Sequence, residues 1–204
     1  MPLVDAGVSA LLNLVVLAGI PFLAYFAYQR LRHRRRFLEV ARRVGLQLGD
    51  ARYVGYSLVV AAVGVAALIA WPPPLEPFLR DGSPQRPFVG LGLSGRAVAM
   101  ALLYGLVKTG LAEEFLFRGL IAGSLARRWR LRWANLTQAL IFLLPHLLVL
   151  TIMPEMGWVL PVILAGALFT GWARIKSGSI LGPWLIHGSV NVTICLGVAA
   201  RTCS

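Results

Sequence analysis

Acidic residues are scarce in this chain: Asp and Glu number 8 against 20 Lys and Arg, and charged residues of both signs make up only 14% of it. So thin a charge cover does not suit the surface of a water-soluble domain. Cysteine is scarcer still. Cys195 and Cys203 stand near the C-terminus without redox or metal-ligand spacing, which argues against a disulfide framework and leaves two incidental thiols. The chain has no His-Glu-x-x-His motif, no internal repeat and no matching pair of broken helices of the inverted-repeat transporter kind. A cleavable leader is not expected either, because the first apolar run is preceded by Asp5 and followed, rather than preceded, by arginines.

What the chain has in quantity is apolar: 58% of its 204 residues are hydrophobic, and the mean hydropathy is +0.74. That composition is that of an integral membrane protein. Runs able to cross a hydrocarbon core, which takes about 20 residues of helix, lie at roughly 8–29, 53–71, 96–125, 133–151, 157–174 and 179–199. The sequence therefore predicts an all-α, polytopic membrane helical bundle of about six transmembrane helices. Pro145, Pro154, Pro161 and Pro183 fall in the last three runs, where prolines kink or end helices.

The net charge of +12 does not point to nucleic acid, because the basic residues fall mostly in short loops, where they act as topology determinants and lipid headgroup contacts. Eight arginines lie between Arg30 and Arg52 (30, 32, 34, 35, 36, 42, 43 and 52), which predicts that this loop is cytoplasmic and the N-terminus outside. Alternating from there, Arg127, Arg128, Arg130 and Arg132, then Arg174 and Lys176, also fall on the cytoplasmic side. The expected location is a multi-pass position in the inner membrane of a prokaryotic cell. Residues 37–47 fit either an amphipathic helix on anionic lipid, with Phe37, Leu38, Val40, Val44 and Leu48 as its buried side, or a solvated basic connector. The outer loop from Pro72 to Gly95, rich in Pro and Gly, reads as irregular and extended. It divides the chain into residues 1–95, with two helices, and 96–204, a four-helix core.

Three polar patterns interrupt the core: Glu113-Glu114-x-x-x-Arg118, Phe142-x-x-x-His146 and His187-x-x-x-Asn191. An ionised side chain near a bilayer centre costs from about 2.5 to well over 10 kcal/mol, so groups retained there serve a pathway, a relay or a site. At 1.5 Å per residue from the cytoplasmic helix ends, Glu113 lies at about 21 Å, Arg118 at about 13 Å, His146 at about 20 Å, His187 at about 12 Å and Asn191 at about 18 Å. They share one layer. Residues four apart stack on one helix face, so Glu114 is expected to pair with Arg118, leaving Glu113 to face a cavity. His187 and Asn191 would offer two donors side by side for a developing oxyanion, and His146 would hold a water against Glu113. Phe142 is read as a packing residue that fixes the His146 rotamer. Gly119 and Gly123 form a small-residue face open to close helix approach.

The ordered triple of motifs, over roughly residues 96–199, resembles the CPBP family, the CAAX protease and bacteriocin-processing proteins also called the ABI family. The resemblance implies a metal-independent glutamic intramembrane endopeptidase without cofactor, its cavity open toward the cytoplasm. In that reading Glu113 and His146 activate the hydrolytic water, His187 and Asn191 stabilise the oxyanion, and Glu114 with Arg118 supports the site. Substrates would be membrane proteins, or lipidated or tail-anchored proteins, cut in a C-terminal or membrane-proximal segment. A zinc site is the weaker expectation, since an Asn and an Arg beside the histidines suit an oxyanion and ion-pair site better. Two other classes compete: a non-catalytic bacteriocin-immunity protein or scaffold, and a small proton-coupled transporter using Glu113, His146 and His187 as a relay.

Overall fold

Each of the apolar runs becomes a long helix in the computed structural model, which describes residues 2–203. Helix α1 spans Leu3–His33. It passes Pro21 because the turn before it, Val15–Gly19, is π-helical, and a widened turn relieves the clash between a proline ring and the carbonyl one turn back. The helix stops at Arg34, whose backbone is left-handed at φ 54°. Arg30 and Arg32 occupy its last turn, where cations suit the negative end of the helix dipole. Helix α2 is Phe37–Arg43. Helix α3, Ala51–Ala70, begins at Asp50, whose Oδ1 accepts the Arg52 N–H at 2.9 Å. After the short α4 (Glu76–Leu79) come α5, covering residues 95–125, α6, Leu131–Val149, α7, Pro154–Ser177, and α8, Leu181–Arg201.

Four of these, α1, α3, α7 and α8, are long and apolar enough to cross a membrane by length and composition. The other two long helices have their apolar runs broken by polar residues: α5 holds Lys108, Glu113, Glu114 and Arg118, and α6 holds Asn135, Gln138 and His146. No strand occurs among the described residues, so the polytopic helical bundle expected from the sequence is the observed architecture. Pro154 and Pro183 sit in first turns, where a missing N–H costs nothing. Pro145, by contrast, lies inside α6.

α5 is the centre of the bundle, touching α1 and α8 along its first half and α6 and α7 along its second, while α3 covers α8. Glycines let α5 and α8 meet backbone to backbone. A Cβ on Gly105 would stand 2.6 Å from Val192 Cγ2 and 2.8 Å from the Gly188 carbonyl oxygen, and one on Gly188 would stand 2.6 Å from Leu106 Cδ2. At the other end of α5, Gly119 and Gly123 admit the chain leaving α2 rather than a long helix: their added Cβ atoms would lie 2.9 Å from the Val44 carbonyl oxygen and 3.3 Å from that of Arg43.

Two loops differ from expectation. Within residues 37–47 the helix ends at Arg43, and Val40 and Val44 are buried against protein while Phe37, Leu38 and Leu48 are exposed. The segment after Trp71 is irregular but folded back. Phe78 and Phe88 insert among Met100, Cys195 and Val198, because two aromatic side chains bury more apolar surface than the Pro- and Gly-rich links between them can hold extended.

Substituting Gly105 with Val should force α5 and α8 apart and destabilise the protein by about 1–3 kcal/mol, the usual cost of overpacking. Gly55→Ala in α3, where an added Cβ meets no atom within 4 Å, should leave stability equal or raise it by up to about 1 kcal/mol. Thermal unfolding of the two variants in detergent, side by side with the parent, measures both.

Candidate active site

The site begins with the backbone of α5. A short α-helical turn, Ala112–Glu114, is flanked by π-helical stretches at Leu103–Leu111 and Phe115–Ala122; such wide turns recur at functional sites because they re-aim side chains. The two adjacent glutamates are placed in unlike surroundings. The Glu114 side chain is 1% exposed and that of Glu113 21%.

On the buried side, Glu114 Oε1 lies 3.1 Å from Arg118 Nη1 and 2.9 Å from His187 Nδ1. A buried ion pair repays its desolvation only if the remaining donors and acceptors are satisfied. Here Arg118 donates from Nε and Nη2 to Thr170 Oγ1, at 3.1 and 2.8 Å, and Thr170 passes its own proton to the Gly166 carbonyl at 2.8 Å. The Arg118 guanidinium also lies 4.0 Å from the centre of the Phe142 ring, a desolvated cation–π contact. Among the described residues neither Glu114 Oε2 nor Arg118 Nη1 makes a hydrogen bond, Nη1 meeting Glu114 Oε1 as an ion pair only. Because an ionised carboxylate can only accept, Glu114 fixes the His187 tautomer with its proton on Nδ1.

On the open side, His187 Nε2 faces Glu113 Oε2 at 4.0 Å, with the His187 side chain 16% exposed. His187 thus stands between the two carboxylates. His146 uses Nδ1 on the Phe142 carbonyl at 2.9 Å, and no hydrogen bond or ion pair joins it to Glu113 among the described residues. Asn191 Nδ2 donates to Thr109 Oγ1 at 2.8 Å, and Thr109 in turn donates to the Tyr104 carbonyl at 3.0 Å. Phe142 is the hub: its ring centre lies 4.7 Å from that of His146, 5.9 Å from that of His187 and 5.0 Å from that of Phe117. Glu113, Glu114, Arg118 and His187 are therefore brought into one polar cluster, with His146 joined to it through Phe142. Asn191 lies one turn along α8 from His187, tied to α5 by Thr109.

Sequence reasoning missed the two threonines. Thr109 stands four residues before Glu113, a spacing that could have flagged it. Thr170 has no such signal, since a hydroxyl in an apolar helix ordinarily bonds its own preceding turn. Asn135 and Gln138 were also unread, although their i, i+3 spacing in an apolar run places both on one face. Gln138 Nε2 donates to the Ala167 carbonyl and Asn135 Nδ2 to that of Leu168, each at 2.8 Å, locking α6 to α7 beside Thr170.

A family model described as Rce1-like, type II CAAX prenyl endopeptidase, matches residues 95–193. That span includes all three motifs. No curated protein and no solved structure matches the chain at a significant level.

Thr170→Val keeps the shape of the side chain but leaves Arg118 Nε and Nη2 without an acceptor. A loss of about 1–3 kcal/mol in unfolding free energy is expected, the cost of stranding a buried donor. Thr170→Ser, which retains the hydroxyl, should recover most of it in the same thermal melt.

Proposed function

We propose, from the match of residues 95–193 to the Rce1-like type II CAAX prenyl endopeptidase family model, that this chain is a metal-independent glutamic endopeptidase that cuts membrane-anchored proteins within the bilayer. That match and four helices long and apolar enough to cross a membrane support an integral membrane protein of a protease family. The substrate class in this proposal is a lipidated or tail-anchored protein, or another membrane protein, cut in its C-terminal or membrane-proximal segment. Residues 96–204 form the catalytic core and residues 1–95 brace it, Asn13 Nδ2 donating to the Lys108 carbonyl of α5.

The observation that carries the reading is the position of His187 between two carboxylates of unlike exposure, with Nδ1 on buried Glu114 and Nε2 toward the partly open Glu113. Glu113 accepts a proton from water as the water oxygen attacks the scissile carbonyl carbon. The carbonyl oxygen becomes the oxyanion, met by the second Asn191 amide hydrogen and, in its protonated form, by His187 Nε2–H. Collapse of the tetrahedral intermediate breaks the C–N bond, and the proton held by Glu113 passes to the leaving amine. His146, whose Nε2 is left free by the Nδ1 bond to the Phe142 carbonyl, orients the water. Glu114, Arg118 and Thr170 hold His187 without touching substrate.

The donor chemistry supports water activation without a metal. Glu114 Oε1 is shared by a guanidinium and an imidazole, a poor setting for a divalent cation. Among the described residues, no group of three or more His, Cys, Asp and Glu side chains is arranged to hold one.

Glu113→Gln should reduce cleavage by about 10²–10⁴-fold, and Asn191→Ala by about 10²–10³-fold, with melting temperatures close to the parent. The measurement is mass spectrometry of C-termini in membrane proteomes from cells carrying parent or Glu113→Gln protein. Unchanged C-termini in the two proteomes, or full cleavage by a folded Glu113→Gln protein, would sink the catalytic reading. Exhaustive chelation should leave the activity of the purified protein intact; loss of activity that Zn²⁺ restores would replace this mechanism with a metal one.

A further inference from the structure

The end of α1 carries a second polar feature, independent of the proposed chemistry. Phe26, Arg30, Arg34, Arg35, Arg36 and Phe37 line a cleft of about 570 Å³. The chain is bent to make it. Arg34 adopts the left-handed backbone at φ 54°, a conformation that disfavours any residue with a Cβ. The Arg34 and Arg35 N–H groups bond back to the Arg30 and Gln29 carbonyls. That turn brings four guanidinium-bearing residues and two aromatic ones to the same cleft.

No carboxylate answers them: among the described residues none of the four arginines forms a salt bridge. Glu39, the nearest acid in sequence, accepts the Arg36 backbone N–H at 3.4 Å. Among the described residues the buried Arg35 Nη1 has no hydrogen-bond partner. The excess charge reaches Arg127, in the turn after α5. Burial first, with Arg43, Arg35 and Arg128 nearby, pulls its guanidinium below the ordinary value against the opposing effect of Tyr25. The other wall of the cleft is apolar. Phe26 and Phe37 meet edge-on at 5.7 Å, and Leu31 and Leu38 beside them are 84% and 69% exposed.

We infer that this cleft binds the phosphate headgroup of an anionic phospholipid, guanidinium groups on the phosphate and the Phe26 and Phe37 rings against the glycerol and first acyl carbons. Guanidinium fits phosphate oxygens in a bidentate fork. The half-aromatic wall at the end of a membrane-length helix favours an amphiphile over a free phosphate. Phe37 and Phe115 both pack on Phe22, at 5.7 and 5.5 Å, so an occupied cleft steadies the residue next to Glu114.

The full-length protein in detergent is titrated with phosphatidylglycerol, phosphatidylcholine or glycerol 3-phosphate, and retained lipid is counted by native mass spectrometry. Phosphatidylglycerol should be retained over phosphatidylcholine, and Arg35→Gln/Arg36→Gln should weaken retention by about fivefold per arginine removed, the size expected of one basic residue near an anionic surface. Arg130→Gln/Arg132→Gln, outside the cleft, should change retention little. Arg34→Gly removes a guanidinium while relieving the left-handed backbone; it should melt no lower than the parent yet hold the lipid less well. Equal retention of the two lipids, equal loss in the two double variants, unimpaired retention by Arg34→Gly, or displacement by millimolar glycerol 3-phosphate would each overturn the inference.

Discussion

A carboxylate and a guanidinium placed together inside a membrane must find partners for their remaining polar atoms within the protein, since lipid offers none. Glu114 and Arg118 meet most of that demand, Glu114 Oε2 excepted, by drawing on four helices. Both come from α5, Thr170 from α7 receives two guanidinium N–H groups, His187 from α8 gives its Nδ1 proton to the carboxylate, and Phe142 from α6 lies against the cation. The relative placement of those helices is tied to one charge pair, because moving α7 or α8 strands a buried polar group and moving α6 uncovers the cation. Apolar packing in lipid gives little such direction, since lipid tails contact leucine as well as another helix does.

The rest of the bundle keeps α5 where this network needs it. The Gly105–Gly188 approach fixes the spacing of α5 and α8. The widened turn of α5 leaves the Leu106 carbonyl accepting Trp184 Nε1–H at 2.7 Å. At the arginine-rich end, the loop after α2 is joined to the loop between α7 and α8. Asp50 N–H donates to the Ser177 carbonyl and Ile180 N–H to that of Gly45, while Ser179 Oγ bonds the Gln47 carbonyl. Arg174 Nη2 and Arg127 Nη1 both donate to the Arg43 carbonyl, at 2.9 and 3.3 Å. Cations there satisfy the exposed carbonyl end of α2 as well as setting charge balance.

How much of this was readable from the sequence depended on how costly each residue is in lipid. Glu113, Glu114, Arg118, His146 and His187 were visible because apolar runs seldom hold ionisable groups, and helix rise let the motifs be expected at a common depth. The Glu114–Arg118 pair followed from four-residue stacking. The π-helical turns were not readable, since no residue pattern in residues 103–122 distinguishes a wide turn from an ordinary one. Without them, the division between a sealed Glu114 and an open Glu113 could be argued but not measured. Thr170 escaped notice because a threonine costs little in a helix interior, and Phe78 and Phe88 because the segment around them reads as turns.

The two histidines are unlike in a way that spacing did not foresee. His187 gives Nδ1–H to a carboxylate, a charge-assisted bond, whereas His146 engages a neutral backbone carbonyl. A charge-assisted bond is roughly twice as strong and holds its ring in one orientation. His187 is therefore the fixed member, aimed by Glu114, and His146 the member whose placement depends on its own helix, with Pro145 directly before it. Phe142 lies against both rings, so α6 helps to set His187 as well as carrying His146, and Asn135 and Gln138 hold that helix to α7. The candidate site is thereby set by three helices, α5 and α8 through the carboxylate–imidazole bond and α6 through ring packing and a bond to a neutral carbonyl.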